Sequence, residues 1–245
     1  KQLVVGAFKD FSHFDFKLFK DLPLLLFKPG YLTAEFIRGR INSHIKPITM
    51  FLWLNVFFFL GGYQFVLPQN KFAAVDIYAP SLKSKVLAKS EEAQLTQAQA
   101  IDLFNGNLLK CQKSMFFFVI PLFAFLMFAL FLFQKRNYYI KHFVYSIHFW
   151  SYFFIFFTVF PLLMALLNAG WGKLTGEPVF EAYDGPVFLV FFTVGVLPYT
   201  FFAVRRVFGT SWWLTSILAI VLLFIVHFTR EWAISATYYL AYHLM

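Results

Sequence analysis

Cysteine is almost missing from this chain. Cys111 stands alone among 245 residues, which excludes an intrachain disulfide framework and any cysteine-based zinc or iron–sulfur site built from this sequence. Charge is scarce as well: Asp, Glu, Lys and Arg make up 13% of the residues, against roughly 25% in an ordinary soluble domain. Such a chain has too little polar surface to cover itself in water. A glycine-rich phosphate loop, a nucleophile elbow, an H-E-x-x-H pair and a carboxylate dyad are all missing, so enzymatic chemistry has no positive support. No internal repeat is evident, and the first residues lack the apolar core and small-residue cleavage site of a signal peptide.

What is abundant is apolar and aromatic. Hydrophobic residues reach 60% and aromatic residues 23%, including 38 Phe, and the mean hydropathy is +0.66. These residues come in blocks near the roughly 20-residue length a spanning helix needs. The blocks predict an all-α, polytopic transmembrane bundle of about five spans, at about 47–67, 114–133, 148–167, 186–204 and 212–227. Residues 1–46 form a cytoplasmic amphipathic section, and residues 47–245 a membrane domain with an external helical loop over 69–113. Gly195 and Pro198 interrupt the fourth block, although membrane helices tolerate both.

Lysine and arginine set the expected orientation. With five spans, residues 1–46, 134–147 and 205–211 share a side that carries thirteen basic and four acidic residues, so the whole formal charge of +9 falls there. The positive-inside rule makes that side cytoplasmic, with the amino terminus inside and the carboxyl terminus outside. Nucleic-acid binding is the competing explanation for basic charge, but these residues flank apolar spans and are not gathered on a soluble module, so no nucleic-acid partner is expected.

Residues 8–22 read as a helix lying on the membrane surface. Phe8, Phe11, Phe14, Leu18, Phe19 and Leu22 share one side, and Lys9, Asp10, His13, Lys17, Lys20 and Asp21 the other. After Pro23 and Pro29-Gly30, a second helix is expected with Thr33 as its cap and Ala34, Ile37, Ile41 and Ile45 as its apolar stripe. In the external loop, Ser90 to Leu109 favours helix, as a hairpin or cap too short and polar to have its own core.

Several residues could carry chemistry. Pro121, Pro161 and Pro198 should kink their spans, the first two at similar depth; this either shapes the helices or lines a cavity with freed carbonyls. Asn55 and His227 are intramembrane polar residues, costly there and therefore functional candidates. A more coherent constellation gathers at the cytoplasmic boundary: Glu35, Arg38, Arg40, Tyr138, Tyr139, His142, His148, Arg205 and Arg206. Cationic donors beside aromatic rings suit a phosphate or another anionic headgroup; the alternative is topological charge with snorkelling side chains. His142 and His148 are six residues apart, a poor fit to one helical face, and no carboxylate accompanies them in the spans, so no metal or cofactor is expected.

Residues 29–47, P-G-Y-L-T-A-E-F-I-R-G-R-I-N-S-H-I-K-P, resemble a bacterial membrane-protein family described only as a domain of unknown function. In that family a Pro-Gly, a Gly-Arg and a Pro mark the approach to the first span. Pro121-Leu122-Phe123-Ala124 with Tyr138, Tyr139, His142 and His148, and then Arg205-Arg206-Val207-Phe208-Gly209, look like later parts of the same family. Many relatives begin with a cysteine-rich zinc ribbon, whereas no cysteine precedes Phe8 here. The resemblance implies a multi-pass protein of the bacterial cytoplasmic (inner) membrane and strengthens the boundary constellation as a site.

The expected function is a non-enzymatic membrane subunit or lipid-interacting scaffold, with membrane lipids and other membrane-protein subunits as partners. A small-molecule or anion transporter or channel is the alternative, suggested by Pro121, Pro161 and Asn55. An enzyme acting on a quinone or lipid through His142 and His148 comes third.

Overall fold

The computed structural model describes residues 17–40, 42–62, 72, 74–134, 137–175 and 185–245. Phe8, Lys9, Asp10, Phe11, His13, Phe14 and Ile41, which enter the expectations above, lie outside them. Among the described residues every regular element is helical. Two short helices, α1 (Lys17–Phe27) and α2 (Tyr31–Ile37), precede α3 (Pro47–Phe57), which runs on as a π-helical stretch through Phe58–Gly62. Then come α4 (Val75–Tyr78), α5 (Leu82–Glu92), and four long helices: α6 (Gln97–Leu130), α7 (Tyr139–Thr175), α8 (Gly185–Phe208) and α9 (Trp212–His243).

Among the described residues three helices are long and apolar enough to cross a membrane, at Gln97–Leu130, Tyr139–Lys173 and Trp212–His243, and a shorter apolar helix spans Pro47–Gly61. Local signals explain where they begin. Pro47 occupies the first turn of α3, where its missing N–H costs nothing. Thr96 and Gln99 form a reciprocal capping box at the start of α6, and Ser211 Oγ accepts from Leu214 N at the start of α9.

The helices pack as a bundle in which α6 lies between α7 and α9, with α3 against α7 and α8 against α9. The interior is filled by aromatic rings. Phe58 stacks on Phe154 at 4.8 Å, Phe116 meets Phe154 edge-on at 4.8 Å, and Phe123 stacks on Phe149 at 5.1 Å. Offset and edge-on geometries of this kind add roughly 0.5–1.5 kcal/mol per pair beyond area burial. Helices α7 and α8 meet at Gly195. A Cβ there would sit 2.1 Å from the Phe156 ring, while Tyr152 and Tyr199 lie ring on ring at 3.5 Å.

These pairs correct the expected depth of the prolines. With Phe116 beside Phe154 and Phe123 beside Phe149, Pro121 is level with about residue 150, leaving Pro161 about 16 Å further along α7 at 1.5 Å per residue. The two helices are matched along their full lengths and not by their most apolar windows.

The loop expectation changes too. Helix α6 begins at Gln97, so most of the predicted 90–109 helix belongs to the long α6, after a break at which Gln94 adopts a φ of +55°. A core does exist beneath the polar segment: Val75, Leu82, Val86, Phe104 and Leu108 pack with Ile234, Tyr238 and Ala241. The segment achieves this by borrowing the far end of α9.

Candidate functional site

At the end of the bundle where α2 meets α7 and α8, two turns set the geometry. The first is Pro29-Gly30. Gly30 has a φ of +72°, and a Cβ on it would lie 2.8 Å from the Ala203 carbonyl oxygen, so only glycine lets α2 dock on α8. Arg206 fastens this contact by donating to the Pro29 carbonyl at 2.6 Å. The second is Gly39, with a φ of +82°. Gly39 N donates to Phe36 O and Arg40 N to Glu35 O, the paired bonds of a Schellman turn. This turn ends α2 after about two turns and folds Arg40 back over Glu35.

Glu35 is the anchor that results. Its side chain is 4% exposed, and it accepts from both Arg38 and Arg40 at 2.9 Å, while those two side chains remain 61% and 64% exposed. Burial alone would raise the Glu35 carboxyl; the hydrogen bonds and charges of Arg38 and Arg40 outweigh it and hold the group below its ordinary value of 4.5. Two guanidinium groups are thereby held by one carboxylate with their remaining donors facing outward.

Behind them lies a second buried network. Asp21 on α1 is 0% exposed; it accepts from Ile45 N at 2.7 Å and from His44 Nδ1 at 2.8 Å. Thr33 Oγ1 and His148 Nδ1 share a hydrogen bond of 2.9 Å. Between the two networks, Arg40, His44, Ile45, Pro47 and His148 line a small cleft.

The nine-residue boundary constellation therefore divides. Arg40 and His148 line this cleft, Glu35 and Arg38 join it through the ion pairs with Arg40 and with each other, and Arg206 binds the turn before α2 at Pro29. Arg205 turns away, donating to Thr210 O and lying 4.0 Å from the Trp212 ring centroid. His142 belongs to another cluster, bonded to Asn137 and stacked on Phe208 at 4.9 Å. Tyr138 is exposed, and Tyr139 reaches along the surface to donate to the Pro121 carbonyl. His142 and His148 thus have different hydrogen-bond partners, Asn137 and Thr33.

Other expectations are also corrected. Thr33 is not a cap: α2 begins after Gly30 and Thr33 is buried against His148. Asp21 faces inward instead of outward. The apolar stripe ends where Gly39 breaks the helix; Ile45 is buried but Ile37 is exposed. Asn55 is buried with its amide nitrogen unpartnered, and His227 is exposed on the outside of α9. Tyr152 donates to the Gly195 carbonyl, one turn before Pro198. Among the described residues no three His, Cys, Asp or Glu side chains come together as metal ligands.

Asp21, Thr33 and His44 were missed as site residues. A 23-residue separation hides the Asp21–His44 pair from any local pattern, although a His with a conformationally special glycine five residues before it is a cue that the loop folds back.

The fold and this site define an all-helical protein with at least three helices suited to a membrane, bearing a compact, arginine-rich cap at one end. Residues 15–59, which hold most of that cap and α3, match the model of a family described as protein of unknown function (DUF3667). No curated protein matches the chain, and no solved structure does.

Proposed function

We propose that the chain is a five-span protein of the bacterial cytoplasmic membrane, acting as a lipid-binding scaffold or subunit whose cytoplasmic face recognises anionic headgroups through Arg38 and Arg40. The observation that carries this reading is Glu35, a buried carboxylate bonded to both arginines while each guanidinium stays mostly exposed. Preorganised guanidinium pairs suit bidentate capture of phosphate oxygens. The ring-filled interior between α3, α6 and α7 supports a scaffold over a water-filled conduit. The short α1–α2 cap, with Phe19 and Phe27 exposed, supports seating at the bilayer interface.

Native mass spectrometry of protein released from nanodiscs tests this reading. The wild type retains phosphatidylglycerol in preference to phosphatidylcholine. Arg38→Gln and Arg40→Gln each weaken that preference by up to about five-fold, the equivalent of about 1 kcal/mol per basic residue at an anionic surface. Equal retention of both lipids by the wild type, or an unchanged preference in the double variant, rejects the reading. Recovery of a lone monomer with neither lipid nor partner rejects it as well.

A further inference from the structure

A separate cleft opens between α6, α7 and α9, far from the arginine cap. It is a partly open cleft whose walls are mainly apolar, from Met115, Phe153 and Ala233, with Gln112, Arg230 and Thr237 as the polar residues around it. Gln112 is the unexpected one. Its side chain belongs to a residue only 2% exposed, and neither its amide nitrogen nor its amide oxygen has a hydrogen-bond partner. Thr237 is satisfied by donating to the Ile234 carbonyl, and Arg230 pairs with its neighbour Glu231. A buried primary amide without partners forfeits its hydration with nothing in return, and most native buried polar groups avoid that cost.

The position narrows the chemistry. Gln112 lies about 18 residues before the end of α6 at Leu130, so the cleft is roughly 27 Å along the helix axis from the end that packs near Phe208. It is thus near the opposite surface of the apolar belt, where a lipid-phase molecule presents its polar end. The exposed lining is hydrocarbon, and Gln112 and Arg230 are the residues around it that carry N–H donors, the Gln112 amide lying covered just behind the apolar surface.

We infer that this cleft is a binding site for an acyl-chain amphiphile, whose head oxygens, carboxylate or phosphate, accept hydrogen bonds from Gln112 and Arg230 while its chain packs on Met115 and Phe153. The site is independent of the arginine cap. A ligand here supplies the partners that the Gln112 amide lacks within the chain.

The test uses the full chain in nanodiscs with two diazirine-bearing probes, a free fatty acid and a phosphatidic acid, followed by peptide mapping of the cross-links. At least one probe labels peptides containing Met115 or Ile234, and whichever labels identifies the head as carboxylate or phosphate. Gln112→Leu reduces that labelling at least ten-fold, yet raises the unfolding temperature of delipidated protein, because an unpartnered amide has been replaced by an apolar group. Ala233→Phe fills the cleft and abolishes labelling; a monodisperse gel-filtration profile and unchanged circular dichroism certify its fold. Labelling by neither probe overturns the inference. So does equal labelling of wild type and Gln112→Leu, or a lowered unfolding temperature in Gln112→Leu, which would mean that ordered water already serves the amide.

Discussion

Glu35 and Asp21 are both buried carboxylates near one another in sequence, but they act differently. Glu35 bonds side chains that reach into solvent; Asp21 bonds a backbone N–H and a histidine that are themselves largely enclosed. Because the folded-state pKa of Glu35 is depressed below 4.5, its contribution to stability is present above that value and disappears as the pH falls through the lowered one. Thermal unfolding followed in detergent should therefore show an acid-side loss of stability below the usual carboxylate range. Glu35→Gln should remove part of that slope, modestly, since exposed partners are screened. Asp21→Ala leaves the buried Ile45 N–H without an acceptor and should cost about 1–3 kcal/mol, seen as a lower unfolding temperature at neutral pH. Neither role was legible from residue type. A helical wheel assigns every charged residue to the wet side, and Asp21 defies it because its partners arrive from a loop more than twenty positions later.

The elements were easier to foresee than their ends. Blocks of Phe and Leu foretold α3, α6, α7, α8 and α9 as helices, since hydrocarbon-length apolar runs have few other ways to satisfy their backbone. Their limits followed different rules. Helix α9 continues through Arg230 and Glu231 to His243, because its far half buries Ile234, Tyr238 and Ala241 in the small second core, a reward that a hydropathy window cannot see. At α2 the turns govern, and two glycine substitutions separate their causes. Gly39→Ala meets no neighbour and suffers only the left-handed backbone, about 1–2 kcal/mol. Gly30→Ala suffers the same strain and also collides with the Ala203 backbone, adding about 1–3 kcal/mol of overpacking. Unfolding temperatures should rank wild type above Gly39→Ala above Gly30→Ala; the reverse order of the two variants would contradict the docking of α2 on α8.

For the molecule as a whole, the placing of basic residues beside apolar blocks was legible in the sequence, whereas the division of Arg38, Arg40 and Arg205 between the cleft and the Trp212 corner needed the packing of α2 against α7 and α8. The proposed topology makes a direct expectation. In a Cys111→Ser background, single cysteines replacing Arg38 and Arg205 should react with a membrane-impermeant maleimide only from the cytoplasmic side, and one replacing Lys89 only from the other. Labelling of the Arg38 and Arg205 positions from opposite sides would break the five-span arrangement.

Helix α9 has 32 residues without a break, a rod of about 48 Å where the hydrocarbon layer is about 30 Å thick. Its overhang is built into the small second core and so cannot be trimmed by local unwinding. In a thinner bilayer the rod has to lean, and the packed cluster at its tip then sweeps sideways over the surface. The thickness of the surrounding lipid would thereby set the lateral position of that cluster.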